Sequence, residues 1–215
     1  ALNCVANGKI IKENIFKNVW VQPASGDAGG SIGAALAYYF HELGNERVAT
    51  VKDKMSGSYI GPSFSQEVVV SKLNKLGAEF KEVADYLLFD QISNLIAEGN
   101  VVGWFQGKME FGPRALGSRS ILADPRSENM QKKLNLKIKY RESFRPFAPS
   151  ILKENLHEWF NLNVESPYMM LVAEVKKDKC LEIGKENETL FGIDKLNVKR
   201  SIIPAVTHID YTARI

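Results

Sequence analysis

The sequence is poor in residues that declare a chemistry outright. Only two cysteines, Cys4 and Cys180, occur among 215 residues. They lie far apart without metal-ligand spacing, so neither a disulfide framework nor a cysteine metal site is expected, and a reducing cytoplasm is the simpler setting. The three histidines, His41, His157 and His208, do not pair at ligand spacing. No run of eighteen apolar residues is present, which excludes a membrane-spanning helix from expectation. Ala1 to Ile10 lack a basic head followed by an apolar stretch, so no secretory signal is expected. No serine or cysteine sits in nucleophile-elbow surroundings, which disfavours covalent hydrolase chemistry. A net charge of +3 is too small to imply nucleic acid through bulk electrostatics. Internal repeats and low-complexity tracts are missing as well.

What remains is ordinary globular composition, 45% apolar and 25% charged, at a length that allows one large domain or two small ones. The chain opens Ala-Leu-Asn without methionine and ends Tyr-Thr-Ala-Arg-Ile in a β-like segment. The expectation is a piece of something longer.

Apolar runs with β-branched residues predict short strands at Lys9 to Phe16 and Val19 to Val21. A small-residue loop, 22–30, then leads into a helix from Ser31 to Leu43 that stops at Gly44. Turn-forming and charged residues make 45–62 a linker. Ser63 with Gln66 reads as a capping box opening the next helix. A further helix spans Tyr86 to Ala97, closed by Gly99, and Val101 to Phe105 reads as a buried strand. Beyond it come an amphipathic helix over Glu128 to Ile138 and strands at Phe147 to Leu152 and Met169 to Val175. Residues 176–200 have no clear period and read as an exposed excursion. The fold class is α/β or α+β: a mixed twisted sheet with flanking helices over 60–215, preceded by an incomplete α/β segment. The latter cannot own a core and must dock on the larger unit or on a second copy of the chain, which leaves a homodimer open.

Charge is concentrated. Between Lys108 and Arg145 ten cations face four anions, so the rest of the chain is net acidic. Phe111-Gly112-Pro113-Arg114-Ala115-Leu116-Gly117 sets an arginine between a fixed-φ proline and glycines, a tight loop that lets a ligand approach the backbone. Arg141 and Arg145 stand among aromatics and prolines, where a poorly hydrated guanidinium offers a rigid fork for phosphate. Lys139, two residues before Arg141, would face the same side of an extended segment. These features leave two readings open, a phosphate site and a structural ion-pair network. Gly26 to Gly30 ahead of a helix could present free N–H groups to phosphate, with Asp27 as a metal ligand or a plain N-cap. His208 lines either a polar site or a satisfied turn.

At these motifs the chain resembles the O-carbamoyltransferase family, which includes NodU-type and antibiotic carbamoyltransferases. The resemblance rests on Ala1-Leu2-Asn3-Cys4, 26–33, 107–126, 139–149, Ser166-Pro167-Tyr168-Met169 and Pro204-Ala205-Val206-Thr207-His208. It covers nearly the whole chain and is most specific at 107–126. It implies an ASKHA-type remnant at 1–52 and a C-terminally truncated YrdC-like domain at 60–215. It also implies that ATP, with Mg2+, and carbamoyl phosphate form carbamoyl-adenylate. The carbamoyl group then passes to a hydroxyl of a small-molecule acceptor at an iron (Fe2+) site. By the same resemblance Arg114, Lys139 and Arg145 grip phosphates, Lys139 and Arg141 echo a Lys-x-Arg signature, and Arg214 is a further anion-binding arginine. Asn3, Gly29 and Gly30 lie in nucleotide- or acceptor-binding loops, and Asp27 matches a metal ligand. The family's iron-binding histidine pair lies upstream of Ala1, so this piece alone is not expected to hold the metal. Tyr211 stands where glycine is usual, and Ser118 where asparagine is common. The competing readings are a YrdC-like RNA-binding module and a non-catalytic remnant that senses a phosphorylated metabolite. The first calls for exposed stacking aromatics, whereas Phe111, Phe144 and Phe147 look buried.

Overall fold

A computed structural model describes residues 1–50, 53–184, 187 and 189–215. Residues 51–52 of the expected linker, and with them the end of the 1–52 segment, lie outside the described residues, as do 185, 186 and 188 of the excursion. In chain order the main elements are α1 (Cys4–Lys12), α2 (Asp27–Ala37), α3 (Gln66–Lys75), α4 (Asp85–Ala97), β1 (Val102–Phe105) and β2 (Arg119–Leu122). They continue with α5 (Met130–Lys133), α6 (Leu156–Trp159), β3 (Val172–Glu174) and β4 (Thr212–Arg214). The chain is therefore of mixed helix and strand. Its described strands pair as two antiparallel two-stranded sheets, β1 with β2 and β3 with β4, and not as the single mixed sheet expected.

The chain divides into two compact units that ignore chain order. One gathers residues 1–21, 99–101 and 123–215; the other gathers 22–98 and 102–122.

The first unit is built on apolar burial. In its sheet Val172 pairs with Arg214 and Ala173 with Ala213. Around Ala173 and Ala213 cluster Phe160, Leu162, Leu171, Val175, Ile203, Val206 and Ile215, all buried. A second cluster joins Met130, Leu134 and Ala205. The expected strand Lys9 to Phe16 is instead the end of α1 and a turn. Asn3 caps that helix by accepting from the Ala6 N–H at 3.0 Å. Docking then overrides the β-branched run: the Asn7 amide donates to the Met170 carbonyl at 3.0 Å, and a Cβ on Gly8 would stand 2.2 Å from the Val172 carbonyl oxygen. Only glycine lets α1 approach β3 so closely. No strand forms at Val19 to Val21 or at Phe147 to Leu152. In the latter, Pro149 removes a ladder donor. The amphipathic helix over Glu128 to Ile138 becomes α5 followed by a π-turn, Leu134–Ile138.

The second unit has almost no interior. None of the residues of α2, α3 and α4 is buried. The helix expected from Ser31 begins four residues earlier, at Asp27, continues through a π-turn at Tyr38–Glu42, and ends before Gly44 at φ +62°. Ser65, with extended backbone, caps α3 by accepting from Val68, displacing Ser63 from that role. Gly99 follows α4 at φ +84°, as its position suggests. β1 is half exposed, not buried, and its Trp104 ring lies 6.4 Å from that of Phe89 on α4.

Candidate functional site

In the second unit the loop that carries Arg114 is organised by a residue the sequence reading passed over. Glu110 is 4% exposed. One carboxylate oxygen accepts from the backbone N–H of Leu116 and Ser118, both at 2.7 Å, and from that of Arg119 at 3.3 Å. The other accepts from Arg119 Nε at 2.9 Å. The Arg119 guanidinium closes the ring by donating to the carbonyls of Glu110 and Gly112 at 3.0 and 3.2 Å. Burial pushes the Glu110 carboxyl up, but the Leu116 N–H, the Arg119 guanidinium, its own backbone N–H and that of Ser118 outweigh it and bring it down to about 2. Glu110 is a charged peg around which residues 110–119 fold.

The expected linker also holds this loop. The backbones of Gly61 and Met109 pair at 3.0 Å, Met109 donates to Pro62 at 2.9 Å, and Phe111 donates to Ser58 at 2.7 Å. The Tyr59 hydroxyl donates to the Leu116 carbonyl. Within this frame Arg114 is half-buried. Its Nε is enclosed without a hydrogen-bond partner, and it forms no ion pair among the described residues.

The glycine-rich loop meets the same frame through Ala24. A Cβ on Gly112, at φ +106°, would stand 2.5 Å from the Ala24 Cβ, and one on Gly29 would stand 2.3 Å from the Ala24 carbonyl oxygen. Gly29 thus serves close packing, whereas a Cβ on Gly30 would meet open space. Gly26 is the N-cap of α2 and Asp27 is its exposed first residue, where a carboxylate complements the helix dipole. Among the described residues no group of three His, Cys, Asp or Glu side chains gathers as a metal site. Among the described residues Asp27 is therefore without companion donors for an iron ion.

In the first unit a buried amide plays the part of Glu110. Asn135, fully buried, donates to the carbonyls of Ser143 at 3.0 Å and Arg145 at 2.8 Å, while its oxygen accepts from Arg141 Nε at 2.6 Å. Lys139 ends the π-turn in helical conformation and Tyr140 follows at φ +48°. The segment is therefore not extended, which overturns the same-side relation expected for Lys139 and Arg141. Arg141 is engaged on Asn135, with its guanidinium 5.1 Å from the Phe147 ring. Arg145 pairs with Glu142 at 2.8 Å, both half exposed. Lys139 is exposed and makes no ion pair among the described residues. Phe144 is 47% exposed, and Phe111 and Phe147 are half-buried. Arg214 lies half-buried on β4, and the Asn3 side-chain oxygen is spent on capping α1. His208 lies in a turn, its Nδ1 3.0 Å from the Thr212 hydroxyl. Burial, above all, lowers its pKa, against Asp210, which raises it.

The ion-pair reading holds for part of the tract. Arg119, Arg126 and Arg145 belong to ion pairs, with Glu110, Asp124 and Glu142. Arg114 and Lys139 stay outside that network. Neither Glu110 nor Asn135 was singled out from sequence. An acid directly ahead of Phe-Gly-Pro-Arg in a basic tract was the available signal for the first, while nothing marked the second.

Cations left unpaired on braced loops suit a protein that handles anionic groups. Residues 93–215 match the family model described as Carbamoyltransferase C-terminus, and residues 1–36 the one described as Carbamoyltransferase N-terminus. The chain belongs to the carbamoyltransferase family, in its NodU-type branch. It is 55% identical over 219 residues to the uncharacterized protein sll1178 of Synechocystis, covering all of this chain and 35% of that protein. It is 38% identical to the nodulation protein NolNO of Sinorhizobium fredii, covering all of this chain and 29% of the relative. Against the 3'-hydroxymethylcephem-O-carbamoyltransferase of Amycolatopsis lactamdurans the figures are 29% identity, all of this chain and 34% of the relative. The chain spans about a third of the length of these curated relatives.

Proposed function

We propose that the complete protein is an ATP-dependent O-carbamoyltransferase and that this chain supplies its carbamoyl phosphate- and nucleotide-gripping part. In this reading water cleaves carbamoyl phosphate to carbamate and inorganic phosphate, and a carbamate oxygen attacks the α-phosphorus of ATP. The bond to the β-phosphate breaks, pyrophosphate leaves, and carbamoyl-adenylate forms. A hydroxyl of a small-molecule acceptor then attacks the carbamoyl carbon, AMP departs, and the hydroxyl proton passes to solvent. Arg114, Lys139 and Arg145 stabilise the charge that builds on the phosphates, with Arg141 and Arg214 supporting them and Mg2+ accompanying ATP. Asn3, Gly29 and Gly30 border the ligands. Asp27 would serve iron only together with ligands from elsewhere in the complete protein, and no step is assigned to the metal.

The YrdC-like character of 60–215 and the ASKHA-type character of 1–52 belong to the same reading. Its support is that the two matched families, 93–215 and 1–36, fall on either side of the proposed division. Two relatives named as O-carbamoyltransferases of a hydroxymethyl compound support a hydroxyl acceptor. The observation that carries the reading is the half-buried, unpaired guanidinium of Arg114 on a loop pinned by Glu110.

Calorimetric titration with carbamoyl phosphate and with ATP tests it. The chain should bind at least one of them, and Arg114→Ala should weaken that binding or, in the complete enzyme, lower the rate roughly a hundredfold. Equal weak binding by both proteins would overturn the assignment.

A further inference from the structure

Away from the residues assigned above, the first unit holds a buried cation that forms no ion pair among the described residues. Arg200 is 3% exposed. Its terminal nitrogens donate to the carbonyls of Val198, at 2.7 Å, and Lys195, and its Nε is enclosed without a partner. A guanidinium has five N–H donors, so these two bonds leave most of them unused. No ion pair offsets its charge among the described residues, and burial lowers its pKa. Enclosing an uncompensated charge is unfavourable unless a counter-charge arrives. The backbone fixes the position all the same, since Leu181 N–H donates to the Arg200 carbonyl at 2.7 Å.

Arg200 lines a cavity of about 560 Å³ together with Glu182, Ile183, Lys195, Ile209 and Tyr211. That volume falls within the range of small-molecule sites. Tyr211 is held in it at φ +62°, a left-handed conformation that a bulky residue rarely adopts. Three contacts enforce it: its N–H donates to His208 at 3.1 Å, its carbonyl accepts from Val175 at 2.9 Å, and its hydroxyl reaches the Leu181 carbonyl at 3.5 Å. The strained backbone places an aromatic wall beside the unanswered cation.

We propose that this cavity binds a small organic anion, a carboxylate or phosphate monoester on an apolar body. Its oxyanion takes the unused N–H groups of Arg200 with Lys195 adding charge, and its body lies against Tyr211, Ile183 and Ile209. The site is independent of the carbamoyl-transfer reading.

The test is calorimetric titration of the chain with benzoate, phenyl phosphate and inorganic phosphate at constant ionic strength, beside its thermal midpoint in each. Saturable binding of benzoate or phenyl phosphate is expected, and which of the two binds tells carboxylate from phosphate. Arg200→Met should weaken it at least tenfold while raising the ligand-free midpoint, because an uncompensated buried charge is gone. Tyr211→Gly relieves the backbone, so it should fold, and should weaken binding several-fold. Arg114→Ala, in the other unit, should leave the titration unchanged. Undiminished binding by Tyr211→Gly or Arg200→Met, equal binding of inorganic phosphate, or no response beyond chloride would each overturn the proposal.

Discussion

The two units hold their loops by the same device but rest on different foundations. In the unit of residues 123–215 the buried amide of Asn135 organises 139–145 beside clusters built on Phe160 and Met130. In the unit of residues 22–98 and 102–122 the buried carboxylate of Glu110 organises 110–119, yet α2, α3 and α4 bury no residue. Apolar burial gives the first unit its stability, while the second leans on directional polar contacts. The lesson is that an ordered cation-bearing loop needs a saturated polar centre more than it needs a large core.

The contrast can be broken at its strongest point first. Phe160→Ala should cost about 3–5 kcal/mol, read as a fall in the denaturation midpoint. A change below about 1 kcal/mol would show that the Phe160 cluster is not the foundation assigned to it.

Glu110→Gln comes next. Arg119 keeps a third of its side chain in solvent, so the loss should be roughly 1–3 kcal/mol. It should appear chiefly as faster hydrogen exchange at the Leu116, Ser118 and Arg119 amides. Acid sharpens the same point. The Glu110 carboxyl titrates near 2 when folded, against 4.5 ordinarily, so its contribution is whole above 4.5 and is lost as pH falls toward 2. His208, whose pKa burial lowers from 6.5, should begin to weaken the other unit at higher pH, below 6.5, because a neutral buried ring must then be charged. Amide protection relative to the intrinsic exchange rate, followed from pH 7 to pH 2, should therefore fall around His208 before it falls at Leu116. The reverse order would contradict both assignments.

The smallest effects should be equal. Asn3→Ala and Ser65→Ala each remove a helix cap, one in each unit, and each should cost about 1 kcal/mol by chemical denaturation. A much larger loss at Ser65 would mean that the poorly buried helices depend on local signals even more than the contrast supposes.

Local signals made α2, α3 and α4 legible in sequence, through helical periodicity and through stops at Gly44 and Gly99, although the cap of α3 was misplaced by two residues. The errors fall where distant partners decide. Ile10 and Ile11 read as strand because nothing nearby shows that Gly8 packs on β3 and that Asn7 bonds to Met170 just ahead of it. Residues 139–141 read as extended because the π-turn ahead of Lys139 depends on packing of Leu134 that sequence does not display. The cations of the candidate site are marked in sequence by their company of glycine and proline. Their supports, Glu110 and Asn135, were not, since a peg is recognised by the number of backbone groups it gathers, and only folding gathers them.

Ala24 is the smallest chiral residue in a corner where Gly29 presses on its carbonyl and Gly112 on its methyl. None of the three can enlarge while its neighbours stay in place. Mutational drift through this corner is confined to a single size class, so the segment before α2 and the arginine loop cannot diverge in shape independently. Selectivity in this chain therefore has to be set at positions other than these three.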